Sequence, residues 1–418
     1  MTVLIKQAKI ICPSSSFHGK QQDILIKEGK INKIDDHIDA PDSQVIAIPG
    51  LCVSLGWMDI FADFADPGFE YRETLESGAK AAAAGGFTDV MLMPNSQPVV
   101  DNKSQVEYIT QKSKQLAVNI HPIGALTKQT EGKELSEMYD MHQSGAIAFS
   151  DGIHPVQTPG LLLKALQYVV AIDSTVIQVP DDHTIGSHGL INEGIISTQL
   201  GLPGKPAIAE ELMIVRDIEL ANYTGSKIHI TAVSTQKSVD LIAKAKSAGT
   251  RISCSATPYH CFFCDEDLQQ YDTNLKVNPP LRTRKDMQAV QQAVLDGTID
   301  CIATHHLPQN WDNKTCEFEY AKFGMTGLET AFAVLRSMGC SSERFVQMQT
   351  QAARDIFGLA LPTIEPGAPA CLSLFLPDAE FVYAVEKIKS KSKNSPFIGT
   401  KLTGSVIGII NGNHIELN

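Results

Sequence analysis

Gly56-Trp57-Met58-Asp59-Ile60-Phe61-Ala62-Asp63 is the stretch on which the fold turns. After the glycine comes a largely apolar run of strand length, as expected of a strand covered on both faces. Reading outward, similar runs recur at Phe87 to Met93, Val118 to Gly124, Ala146 to Asp151, Thr175 to Val179, Lys227 to Val233, Arg251 to Ala256 and Cys301 to Thr304. With Trp57 to Asp63 that makes eight. Longer helical patterns intervene, among them Thr74 to Ala84, Ala209 to Tyr223, Gln236 to Ala248 and Gly327 to Met338. Strands alternating with helices predict an α/β protein built on a parallel (β/α)8 barrel, whose chemistry sits at the C-terminal ends of the strands.

The two ends of the chain read differently. Up to about residue 50, apolar and polar positions alternate (Val3, Ile5; Ile24, Ile26; Ile31, Ile34) with Gly and Pro between, which predicts a small antiparallel sheet. Ala370 to Phe375, Phe381 to Val385 and Gly404 to Ile410 are further strand-like runs, so the termini are expected to combine into one β-sandwich domain. The expected division is residues 1–52 and 360–418 for that domain and 53–359 for the barrel. The basic run Lys387 to Lys393 reads as a solvated loop rather than a binding patch.

With 418 residues, 43% hydrophobic and 20% charged, the chain can bury a large core. A formal charge of −12 argues against nucleic acid as a partner, because that affinity rests on Lys and Arg at phosphates. MTVLIKQAKIICPSSS lacks the long apolar region and cleavage site of a signal peptide, and no long uncharged apolar stretch suggests a membrane span. Nine irregularly spaced cysteines suggest free thiols and a cytoplasmic location. Cys254 with Cys261-Phe-Phe-Cys264 reads as buried filler before it reads as a zinc or redox site.

Segments at the strand ends carry a family resemblance across essentially the whole chain. Asp59-Ile-Phe61-Ala-Asp63-Phe64-Ala65-Asp66-Pro67-Gly68, Met93-Pro-Asn95-Ser-Gln-Pro98-Val-Val-Asp101-Asn102 and Lys276-Val-Asn278-Pro-Pro-Leu-Arg282 resemble the dihydroorotase signatures D-x-H-x-H-F-R-E-P-G, M-P-N-T-x-P-x-x-D-N and K-V-N-P-P-L-R. Gly201 to Gly204, Ala209 to Glu211, Arg216-Asp217 and Gly324 to Thr330 extend the likeness. The resemblance implies a TIM barrel of the metal-dependent hydrolase type and the reversible cyclisation of carbamoyl aspartate to dihydroorotate in pyrimidine biosynthesis. It also implies that Asn95, Asn278 and the segment at Gly324 line the substrate pocket.

At the positions that carry the family's chemistry the chain departs. The first two metal ligands of the family, histidines two apart on a strand, are Phe61 and Asp63 here, and phenylalanine has no lone pair for a metal. The arginine that would clamp a substrate carboxylate is Ala65. The fourth-strand bridging position is Asp151, which matches the family's aspartate version. The next two histidines are Val179 and Ala232, neither able to ligate. In Ala303-Thr-His305-His306-Leu-Pro-Gln309 the catalytic aspartate has become His305, and Gln309 replaces a histidine. Imidazole at that position could take up acid or base duty.

Three readings follow. One is a non-catalytic homologue, expected to hold no metal although the family uses zinc, that serves as a scaffold, for example for aspartate carbamoyltransferase, and is at least a homodimer. Another is an active cyclic-amide hydrolase with one metal on Asp63, Asp151 and His305, all expected to face the barrel mouth. The last is a sensor of a pyrimidine intermediate through Asn95 and Asn278. His229 is expected to be a satisfied core residue and His260 to pack behind the site, while His154 and His183 belong to solvated loops.

Overall fold

The computed structural model describes residues 2–418. The eight apolar runs become eight strands, Trp57–Ala62, Phe87–Leu92, Asn119–Gly124, Ala148–Phe149, Thr175–Gln178, Lys227–Ile230, Ile252–Ala256 and Cys301–Ile302, and each pairs in parallel with the next. The last meets the first through a parallel bridge between Ala62 and His306 and the bond from Asp63 N to His306 O, which closes the barrel. Asp59 helps to stitch that seam, its carboxylate accepting from Thr304 N at 2.7 Å and Thr304 Oγ1 at 2.9 Å.

Parallel strands require crossover connections, and the helices that supply them start and stop where local chemistry directs. Thr74 caps Leu75–Ala84, with Ser77 returning the bond, and Thr235 caps Gln236–Ser247. Gly225, in the left-handed region at φ 67°, ends Ile208–Thr224. Trp57, wholly buried, anchors the barrel's base among Phe332, Phe345 and Phe375 with ring centroids 4.8–5.3 Å away.

The two termini do combine. Cys371–Val382 pairs antiparallel with Cys52–Leu55 and joins Lys401–Asn411 and His414–Leu417 to the N-terminal strands in one eight-stranded sheet. Its alternating side chains, among them Val3, Ile5, Ile24, Ile26, Ile31, Leu372 and Leu374, form a core of their own. The sheet is mixed rather than purely antiparallel: Gln44–Ile46 and Cys52–Leu55 lie along Thr2–Ile10 in the same direction. Residue alternation is the same in either pairing sense, so it could not reveal this.

The basic run also differs from expectation. Lys387, Lys389, Lys391 and Lys393 are exposed, but Ile388, Ser390 and Ser392 between them are buried. The buried carboxylate of Glu73 accepts from Ser390 Oγ and from Lys391 N at 2.9 Å, and Glu329 accepts from the Lys389 and Ser390 amides. Charge density gave the run its solvated reading, yet its period of two lets one edge pack on the barrel. No helix of the described residues is long and apolar enough to cross a membrane.

Candidate active site

At the C-terminal ends of the barrel strands lies a cavity of about 670 Å³, the size of a small-molecule site. Asp63, Asn95, Val179, Asn278, His305, Gln309 and Gly324 all line it, so residues from several strand ends meet in one cavity.

His305 sits on the floor in the left-handed region at φ 44° and is 7% exposed. Its Nε2 lies 2.8 Å from Thr231 Oγ1, and burial pushes its pKa down to about 3, so the ring is neutral at physiological pH. Phe61, wholly buried, stacks against it with centroids 4.6 Å apart. Asp63 lines the wall, but its carboxylate accepts from Ala65 N at 2.7 Å and faces Arg72 Nη2 at 3.3 Å. Burial raises its pKa, with the Arg72 charge opposing.

Asp151 corrects an expectation. It is buried away from the cavity wall, accepting from Thr127 N at 2.8 Å and from Thr127 Oγ1, and burial pushes it up to about 6 against those bonds. The turn after the two-residue fourth strand, Ala148–Phe149, aims the carboxylate at Thr127 in the loop after the third strand. Asp63, Asp151 and His305 are therefore not brought together. Ala232 is buried with φ 57° and is likewise off the wall.

The two asparagines line the cavity with their amides engaged by protein. Asn95 Nδ2 donates to Asp151 O at 3.1 Å, and its Oδ1 accepts from Ile153 N at 3.1 Å. Asn278 donates to Asp181 Oδ2 at 3.0 Å and accepts from Lys205 Nζ at 2.9 Å; Lys205 also bonds Asp181 at 2.8 Å. Gly324 has φ 115°, and a Cβ there would come within 2.6 Å of Leu307. His154 and His183 are exposed, as expected of loop residues, but those loops form the rim.

Sequence reading missed Arg72 and the Asp181–Lys205 pair. Ala65, where the resemblance places an arginine, is buried off the wall, whereas Arg72 lines the cavity with its guanidinium 4.7 Å from the Phe69 ring. A lone Arg before a helix carries no sequence signal of a loop folding back over the mouth.

Behind the site, His260 bonds Thr257 Oγ1 at 2.9 Å and the Pro279 carbonyl at 3.0 Å, and His229 lies between Ser253 and Ser255 at 2.9 Å each, as a packing and a core histidine should. Burial pushes His260 down from 6.5 to about 3, whereas in the unfolded chain it takes a proton near 6.5. Between those values the unfolded state holds more protons, so this residue's contribution is fully present above 6.5 and lost as pH falls toward 3. Acidification from pH 6.5 to about 5 should cost the wild type about 1.5–2 kcal/mol more than His260→Asn. Urea midpoints at the two pH values check this, and equal pH dependence of the two proteins would contradict it. Cys254, Cys261 and Cys264 lie buried, with burial raising the first to about 12.

Comparison with known proteins adds to this geometry. Residues 50–238 match the model of the Dihydro-orotase-like family. The chain is 41% identical to the dihydroorotase of Acetivibrio thermocellus, covering 98% of each chain. The chain belongs to the dihydroorotase-like family. It is also 41% identical to the dihydroorotase of Pelotomaculum thermopropionicum, over 100% of this chain and 99% of that one. Among solved structures, the L-hydantoinase (dihydropyrimidinase) of Arthrobacter aurescens shares the fold at a TM-score of 0.85 and 23% identity, covering 99% and 95% of the two chains.

Membership makes the dihydroorotase metal site the relevant comparison, and the side chains here do not fit a pair of metal ions. Phe61, Val179 and Ala232 have no donor atom. The donors that remain face other partners: Asp63 the Ala65 amide and Arg72, Asp151 Thr127, His305 Thr231. Among the described residues no three His, Cys, Asp or Glu side chains converge as a metal-binding group.

Proposed function

We propose that this dihydroorotase-like chain is a non-catalytic, metal-free family member that acts as a scaffold or assembly subunit in pyrimidine biosynthesis. The observation that carries the reading is Phe61 stacked on His305, an apolar ring beside an engaged imidazole where the family has a ligand and its catalytic aspartate. Without a metal-activated water, opening or closing a cyclic amide lacks its nucleophile.

Retention of the frame supports the scaffold role. Arg282, at the end of the Lys276 to Arg282 motif, is a buried ion-pair partner of Glu210, and Arg354 pairs with buried Asp89 at 2.7 Å. Removing one partner of such a pair is costly to the fold whether or not chemistry takes place in it. The expected partner is aspartate carbamoyltransferase, with this chain at least a homodimer in the cytoplasm. Sedimentation velocity of the chain alone and mixed with its own organism's aspartate carbamoyltransferase tests this. A dimer that co-sediments with the transcarbamoylase is expected; independent sedimentation of the two at micromolar concentration would contradict the scaffold role.

A further inference from the structure

Four hydroxyl and imidazole groups stand in line from inside the barrel to His305 in the cavity floor. Ser253 Oγ lies 2.9 Å from His229 Nδ1, and His229 Nε2 lies 2.9 Å from Ser255 Oγ. Ser255 Oγ donates to Thr231 Oγ1 at 2.9 Å, and Thr231 Oγ1 lies 2.8 Å from His305 Nε2. His229, Thr231 and Ser255 are fully buried, where unmet hydrogen bonds are costly, so each group's proton has a defined place.

Proton counting gives the line a direction. A hydroxyl has one proton to donate. The Ser255 proton goes to Thr231, so Ser255 accepts from His229, whose proton is thereby placed on Nε2 and whose Nδ1 accepts from Ser253. Thr231 accepts from Ser255, and its own proton, which has no other acceptor among the described residues, goes to His305 Nε2. A neutral imidazole that accepts at Nε2 carries its proton on Nδ1. The Nδ1 edge of His305 has no hydrogen-bond partner among the described residues, and the residue lines the cavity.

We infer that His305 is a binding residue, held by this line as its Nδ1–H tautomer, and that the cavity takes a small molecule presenting a carbonyl or carboxylate oxygen to that N–H. The inference rests on the reading of the site as free of metal. It reverses the role of the position, since an aspartate there accepts while this histidine donates. Thr231 is a positioning residue that acts through the ring.

Long-range proton–nitrogen correlation spectra of histidine-labelled protein, assigned through His305→Phe, report the tautomer directly. The wild type should show a proton-bearing Nδ1 and an accepting Nε2. Thr231→Val should move the Nε2 resonance toward that of an unbonded ring nitrogen, and Thr231→Ser should restore it. With orotate and uracil as probes, calorimetric titration should detect binding of at least one to the wild type, weakened tenfold or more in His305→Phe. A wild-type proton on Nε2, an Nε2 resonance unmoved in Thr231→Val, or binding of neither probe overturns the inference. Each of those outcomes leaves catalytic inactivity standing, whereas turnover or bound metal removes inactivity without deciding the tautomer.

Discussion

Purified protein given dihydroorotate or carbamoyl aspartate at neutral pH is expected to convert neither above the uncatalysed rate. A metal lowers the pKa of its bound water from 15.7 to about 7, so losing it removes roughly eight orders of magnitude of available hydroxide. His305 does not make up the difference: with a pKa near 3 and Thr231 at its Nε2, it is a weak base already engaged. Nor does Arg72 restore a free carboxylate clamp while Asp63 lies 3.3 Å from it. Added zinc should change nothing, and Phe61→His alone should not rescue the reaction, because Val179 and Ala232 still lack donors. The loss or gain of the dihydroorotate ultraviolet absorbance follows both directions. Turnover of about 1 s⁻¹ or more, ordinary for an enzyme, would contradict the account.

Stability should respond in the opposite pattern, strongly at the motif that has kept its residues. Arg282→Ala is expected to destabilise the protein by about 3–5 kcal/mol, the usual cost of leaving one member of a buried ion pair behind. Arg282 Nε donates to Ser234 Oγ at 3.0 Å, its Nη1 donates to Asn192 Oδ1 and Lys205 O at 3.2 Å, and its Nη2 lies 3.4 Å from Glu210. Glu210 in turn accepts from the Ser234 and Thr235 amides. One guanidinium thus ties the Ile208–Thr224 helix to the turn after the sixth barrel strand. Lys237→Ala, which breaks the pair between an exposed Lys237 and a part-buried Glu211, should cost only about 1 kcal/mol. Urea unfolding midpoints decide between them, and a small effect at Arg282 would show that the motif does not brace the barrel.

The sequence was most informative where burial is continuous. All eight barrel strands were legible because each is an apolar run bounded by polar turns and followed by a helical pattern, and the capping residues Thr74 and Thr235 stand where those helices begin. Pairing sense at the termini was not legible, since Val3 and Ile5 alternate identically beside a parallel or an antiparallel neighbour. At the site, the substitution of Phe61, Val179 and Ala232 could be read directly from the motifs. Whether Asp151 faces the cavity could not, because it depends on Thr127, distant in sequence, offering both an amide and a hydroxyl to its carboxylate. The same limit hid Arg72 and the line of groups from Ser253 to Thr231, which joins two strands through side chains that look unremarkable one at a time.

Metal content is the most direct measure of the central claim. Protein purified without chelators from medium supplemented with zinc, manganese and iron should carry less than about 0.1 equivalent of any of them by mass spectrometry, since among the described residues no three His, Cys, Asp or Glu side chains converge to hold an ion. One or two equivalents, lost together with a dihydroorotate-converting activity on chelation and regained with it, would contradict the account.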